Sequence, residues 1–197
     1  MKKYLILAGV IVALGAGAFV IAQGFFPSFQ ANLISYEEVP AVSSVGSAEF
    51  RADLSPYGNQ VNWELSYRGL EGTITQSHIH FGQRGVNGGI MVFLCSNLGN
   101  GPAGTQTCPT PPATIRGTFS AGDIGAGATA QGIGAGEYAE LLRAMRNGTT
   151  YANIHSTIWP GGEVRSQISL PAQVAVFRET TTESISEPVD PGTHTDH

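Results

Sequence analysis

Three histidines carry the chemistry this chain is equipped to do. Two lie in Gln76-Ser77-His78-Ile79-His80-Phe81-Gly82, and the third closes Tyr151-Ala152-Asn153-Ile154-His155. Side chains of an extended strand alternate between its faces, so His78 and His80 project together while Ile79 and Phe81 project the other way. In the second run Tyr151, Asn153 and His155 share one face, and Ala152 and Ile154 the other. Each run therefore sets histidine opposite isoleucine. With the isoleucines in a core, the imidazoles belong on the wetter, outer or rim side, where an ion can enter. Strands about 4.8 Å apart, with same-face residues about 7 Å apart along each, bring three imidazoles to one ion if the two runs are neighbours. Three neutral imidazoles with an open fourth position suit copper, with zinc as the alternative. The plain alternative is that each imidazole hydrogen-bonds a carbonyl or carboxylate and ties loops together. Asn153 is a candidate hydrogen-bond partner of a ligand ring. Glu163 and Arg165, two apart on one strand face, are candidates for an ion pair or for holding a histidine from behind.

Other chemistry finds little support. No nucleophile elbow, zincin helix or Rossmann fingerprint occurs, and no catalytic residue is assigned. The glycine-rich Gly82–Gly89 lacks the Lys-Ser/Thr ending and the following helix of a phosphate loop. An enzymatic role, if there is one, would be that of a copper-dependent oxidoreductase.

The elements that must position the histidines read as mainly β. Ala48, Phe50, Ala52 and Leu54 alternate with Glu49, Arg51 and Asp53, and Val61, Trp63, Leu65 and Tyr67 alternate with polar neighbours after the Ser55–Asn59 turn. This is a hairpin. The histidine strand follows as Thr73–Phe81, then a continuously apolar Ile90–Leu94 of the kind buried on both sides, then Thr114–Phe119. One helix is expected near 137–147, where Tyr138, Leu141, Leu142 and Met145 recur at spacings of three and four and Asn147-Gly148 offers a stop. Glu163–Leu170 reads as a closing strand. Together these predict a single antiparallel β-sandwich over roughly 35–172 with one short helix. Residues 23–34 read as a linker whose aromatics allow at most a first edge strand.

The ends address the compartment. Lys2 and Lys3 precede an apolar run from Tyr4 to Ala22, which is either a cleaved signal peptide or a retained N-terminal membrane anchor, so that contact with a membrane is expected only through residues 4–22. Either way the bulk of the chain is expected outside the cytoplasm, extracellular, periplasmic or held on the outer side of the membrane. Removing residues 1–22 leaves eight basic residues against fifteen acidic ones, a net charge of −7, which disfavours nucleic acid as a partner. Cys95 and Cys108, the only cysteines, bracket a loop without apolar periodicity and are expected to form a disulfide worth about 3 kcal/mol in the chain-entropy account. Residues 173–197, acidic and rich in Ser, Thr and Pro, are expected to be disordered; His194 and His197 fall in this tail.

Five landmarks in this order, Gly46-Ser-Ala-Glu-Phe50, Ser77-His-Ile-His-Phe-Gly82 with its glycine loop, Arg146-Asn-Gly148, Tyr151-Ala-Asn-Ile-His155 and Pro160-Gly-Gly-Glu-Val-Arg165, resemble the CHRD domain, named for its repeats in chordin. The resemblance covers about residues 35–170; Ser166 stands where the family usually has glycine. It implies an extracellular β-sandwich of Greek-key type. More weakly, His-x-His plus a distant histidine is similar to the copper half of Cu/Zn superoxide dismutase, but no fourth histidine of the domain supplies a zinc half. Three functions are open: a metal module for storage, delivery or surface redox chemistry, an adhesion or matrix module that binds another protein, and a copper-only oxidoreductase of the dismutase type.

Overall fold

Large and small apolar side chains alternate across the strands in rows, and these rows build the core. The computed structural model describes residues 28–171. The expected signal or anchor at 1–22, the start of the linker and the tail at 173–197 lie outside the described residues. The described chain is mainly β, with eight antiparallel strands: β1 (Ser28–Ile34), β2 (Ser47–Leu54), β3 (Val61–Arg68), β4 (Ile74–Phe81), β5 (Gly89–Ser96), β6 (Ala113–Phe119), β7 (Thr150–Ser156) and β8 (Val164–Gln167). They form one nearly closed sheet in the order β5-β4-β7-β8-β1-β2-β3-β6. Register pairs Phe29 with Ala52, Ala52 with Trp63 and Trp63 with Gly117. A Cβ on Gly117 would lie 2.6 Å from the Trp63 ring, so glycine here is the seat of the indole. The next row, Ala31, Phe50, Leu65 and Ile115, is buried in the same core.

Two expectations about strand position are corrected. Ser28–Ile34, assigned to the linker, is a strand in the interior of the sheet, between β8 and β2. Its Phe29, Ala31 and Leu33 are buried while the residues between them are not, a period-two pattern that two phenylalanines just upstream obscure. The apolar Ile90–Leu94 run belongs to β5, the last strand at one end of the sheet, and Ile90 and Phe93 are only partly buried. The two sheet ends are linked by the loop that the Cys95–Cys108 disulfide closes. Within it the Ser96 N–H donates to the Gln106 carbonyl (2.9 Å), and the Gln106 side-chain amide donates to the Arg116 carbonyl of β6 (3.0 Å).

The one α-helix among the described residues, α1 (Tyr138–Arg146), buries Leu141, Leu142, Ala144 and Met145 in the core. It ends as the sequence suggests. Gly148, at φ +65°, donates its N–H to the Met145 carbonyl, and the Thr149 N–H returns to the Ala144 carbonyl, a Schellman arrangement. The chain then enters β7 directly, so the helix stop fixes where the Tyr151–His155 run begins.

Candidate metal centre

β4 and β7 are antiparallel neighbours, and their register decides the site. His78 stands opposite Asn153, His80 opposite Tyr151 and His155 opposite Gln76. The ring centroids of His78 and His80 are 5.3 Å apart, and those of His78 and His155 are 5.1 Å apart. One ring nitrogen from each of the three lies within 4.8 Å of the others. Ligands about 2.0 Å from one ion stand roughly 3.3–3.5 Å apart, so side-chain adjustments of about 1 Å at most close the set.

The isoleucines do face the core, with Ile79 and Ile154 fully buried. The wetter position expected for the imidazoles is overturned: His78 is 0% exposed, and His80 and His155 are each 7% exposed. The reason is a roof. Every residue of β7 is buried, because loops cover the face of the sheet that points away from the apolar core. The glycine loop after β4 folds back so closely that a Cβ on Gly88 would run into the Phe81 carbonyl. From there the Gly88 carbonyl accepts from His80 Nδ1 (2.9 Å), and the Gly88 N–H donates to the Tyr151 hydroxyl (3.1 Å). The turn before β8 supplies the Pro160 carbonyl to His155 Nδ1 (2.9 Å). Phe93 of β5 closes the remaining side, edge-on to His78 at 4.5 Å.

These bonds fix the tautomers. A carbonyl only accepts, so Nδ1 of His80 and of His155 carries the hydrogen, and Nε2 of each is left with its lone pair. Neither Nε2 has a hydrogen-bond partner among the described residues, and neither ring nitrogen of His78 has one. Burial holds all three rings neutral. It lowers the His78 pKa to about 2, with the neighbouring His155 and His80 adding to the shift. His80 is lowered to about 4, burial outweighing the opposing pull of the Gly88 carbonyl. His155 is lowered by burial against the pull of the Pro160 carbonyl. Neutral imidazoles anchored through Nδ1 with Nε2 free are the form in which histidine binds metals.

The surrounding polar residues divide. The Asn153 side chain sits beside His80 and helps to hold its pKa up, while its Oδ1 has no hydrogen-bond partner. Glu163 and Arg165 are both buried, yet they do not pair with one another. Glu163 turns to the Ser44 hydroxyl (2.7 Å) and the Glu71 N–H (2.6 Å). Arg165 donates to the Val86 carbonyl (2.5 Å) and to Asn87 Oδ1 (2.9 Å), and neither it nor Glu163 hydrogen-bonds a histidine. The expected ion pair fails here because different segments reach each side chain first, Ser44 and Glu71 at Glu163 and the 82–88 loop at Arg165. Two residues that sequence reasoning did not single out matter more. The Tyr151 ring stacks on His80 at 4.7 Å and an interplanar angle of 1°, with the Arg165 guanidinium 3.6 Å from the Tyr151 centroid. Glu38 is buried under the same roof, and burial pushes its carboxyl up to about 7 against the lowering influence of Arg165. Tyr151 was legible as sharing the histidine face; nothing local marked Glu38. A surface cleft lined by β1, β2, β3 and β6 residues such as Ser47, Ser66 and Thr114 contains none of the three histidines.

Fold and site together define a disulfide-closed β module with a buried three-histidine cluster roofed by loops. The family model for the CHRD domain matches residues 29–168, and the chain belongs to that family. Searches of curated proteins and of solved structures return no match. The disulfide fits an oxidising compartment. Among the described residues, no helix is long and apolar enough to cross a membrane.

Proposed function

We propose that this CHRD domain is exported and holds a metal ion, copper in our reading, for storage or delivery. Nε2 of His80, Nε2 of His155 and one ring nitrogen of His78 are the ligands. The observation that carries the reading is the set of buried nitrogens without partners, on rings whose other nitrogens are pinned to the backbone carbonyls of Gly88 and Pro160. A structural role would use the lone pairs as well, since buried polar atoms are rarely left unpaired. Burial favours holding an ion over turning over a substrate at it. Export rests on the basic and apolar start at Lys2–Ala22 and on the disulfide. In this reading residues 28–171 are the functional domain and 173–197 an acidic tail.

The test is metal analysis and competition titration of the untagged full chain carrying His194→Ala and His197→Ala, so that tail histidines contribute nothing. One ion per chain, lost on His80→Ala in a protein that still folds, supports the reading. A parent that binds neither copper nor zinc in the presence of a weak chelator would leave the histidines structural, and an adhesion module would be the better account.

A further inference from the structure

The centre contains no anion. Among the described residues, those that offer a ligand atom to the cluster are His78, His80 and His155, and no carboxylate joins them. The groups behind them are neutral as well, since Nδ1 of His80 and of His155 goes to a backbone carbonyl and not to an acid. The nearest full charge built into the stack is positive. Across β8, β7 and β4 the Arg165 guanidinium, the Tyr151 phenol and the His80 imidazole follow one another, at 3.6 Å from guanidinium to ring centre and 4.7 Å from ring to ring. Arg165 is 2% exposed, is in none of the ion pairs among the described residues, and has only the neutral Val86 carbonyl and Asn87 amide oxygen as acceptors.

An ion here must therefore carry its charge beside a buried guanidinium whose buried carboxyl neighbour, Glu38, is pushed up to about 7 by burial and so keeps its proton below neutral pH instead of cancelling that charge. The cost of desolvating an ion grows with the square of its charge, so a divalent ion pays about four times the penalty of a monovalent one, and Arg165 adds repulsion that also grows with charge. Imidazole by itself accepts several metals in either charge state. Zinc further prefers four ligands, and the cluster offers three.

Resting on the metal-centre reading above, we infer that the site selects monovalent copper, Cu(I), over Cu(II) and Zn(II), and that Arg165, acting through the Tyr151 ring on His80, is a specificity-determining residue. Cu(I) enters and leaves as Cu(I), so no group of the protein is oxidised or reduced. A unit charge roughly 10 Å from the ion, at an effective dielectric near 20, biases a one-electron equilibrium by roughly tenfold. That corresponds to about 59 mV.

The experiment uses the untagged full chain with both tail histidines replaced. Cu(I) affinity is measured anaerobically with ascorbate against bathocuproine disulfonate, Cu(II) and Zn(II) affinities are measured against nitrilotriacetate, and the potential of the bound couple is read by voltammetry. The parent is expected to hold Cu(I) at least a hundredfold more tightly than Zn(II), with a potential above that of aqueous copper. Two variants address Arg165. Arg165→Gln removes the charge and keeps donors for Val86 and Asn87. Asn87→Asp, at an exposed position, sets a carboxylate against the guanidinium without touching the buried arginine. Each should shift the preference towards Cu(II) roughly tenfold, and Asn87→Asp decides the matter should Arg165→Gln fail to fold. A parent that prefers Cu(II) or Zn(II) overturns the inference and leaves the metal centre standing. An unchanged potential in Asn87→Asp overturns the role of Arg165. A parent that binds no ion removes both this inference and the reading beneath it.

Discussion

Lowering the pH from about 6.5 to about 4.5 is expected to strip the metal-free protein of at least roughly 2 kcal/mol of stability. The unfolded chain protonates its histidines near pH 6.5. In the folded chain burial holds His80 down to about 4, His78 down to about 2 and His155 below its ordinary value. Within this window the unfolded state therefore binds up to three more protons on these rings, and stability is lost as the pH falls. Glu38 works the other way. Burial raises its carboxyl from 4.5 to about 7, so between those values the folded state keeps a proton that the unfolded state has released, and this contribution is lost as the pH rises. From His78, His80 and Glu38 the net excess on the unfolded chain grows from a fraction of a proton near pH 6.5 to about one near pH 5, each proton worth about 1.36 kcal/mol per pH unit, and His155, lowered by burial, adds to it in the same direction. The sum is measurable against the roughly 5–15 kcal/mol by which domains are commonly stable. Urea midpoints of chelator-treated protein, taken across about pH 7 to 4.5, measure it directly. Glu38→Gln should steepen the acid loss, and His80→Asn should flatten it by about one proton. Midpoints that hold level or rise on acidification, or a His80→Asn slope equal to that of the parent, would refute the claim that the rings are buried and neutral.

Two further outcomes test the roof and the cluster separately. Gly88→Ala should destabilise the fold by more than about 2 kcal/mol, because its Cβ meets the Phe81 carbonyl, and should weaken metal binding by displacing the anchor of His80; thermal unfolding and competition titration read the two effects. His78→Leu should leave the metal-free protein about as stable as the parent, or up to about 2 kcal/mol more stable, since neither ring nitrogen of His78 has a partner to lose; chelator-treated denaturation checks this, and the same variant should bind no ion.

Period-two patterning made the β2–β3 hairpin, β4, β6 and β7 legible, and the spacing of three and four did the same for α1, because in each case the apolar face is written into consecutive residues. The shared face of His78 and His80, and of Tyr151, Asn153 and His155, was legible for the same reason. That β4 and β7 are neighbours was only a condition in the sequence, and the register supplies it. Burial of the histidines was not legible, because it depends on what comes down on top of them. The roof is made of loops at 82–88 and 157–162 and of the Glu38 segment, held by bonds between residues far apart in sequence, such as Asn87 to the Val39 carbonyl (3.1 Å) and Arg84 to Glu37 (2.5 Å). A strand pattern tells which way a side chain points, not whether water waits there. The same limit explains Glu163 and Arg165, whose side chains are claimed by different loops.

The sheet is thus buried on two sides by different materials, and the difference bears on why the histidines are there. On the inner side only size and pattern matter, and Ala, Phe, Trp and Gly alternate to fill the rows. On the outer side the roof spends hydrogen bonds to hold polar groups in place, yet it leaves His78, His80 and His155 each with at least one lone pair facing the others. A buried polar atom without a partner costs about 1–3 kcal/mol. Buried polar groups replaced by apolar ones of similar volume are often neutral or more stable. Tying loops together accounts for one nitrogen each of His80 and His155, bound to the Gly88 and Pro160 carbonyls, and for neither nitrogen of His78. What the three rings have in common is a ring nitrogen within 4.8 Å of the other two, and in the reading proposed above an ion is the partner that takes all three at once.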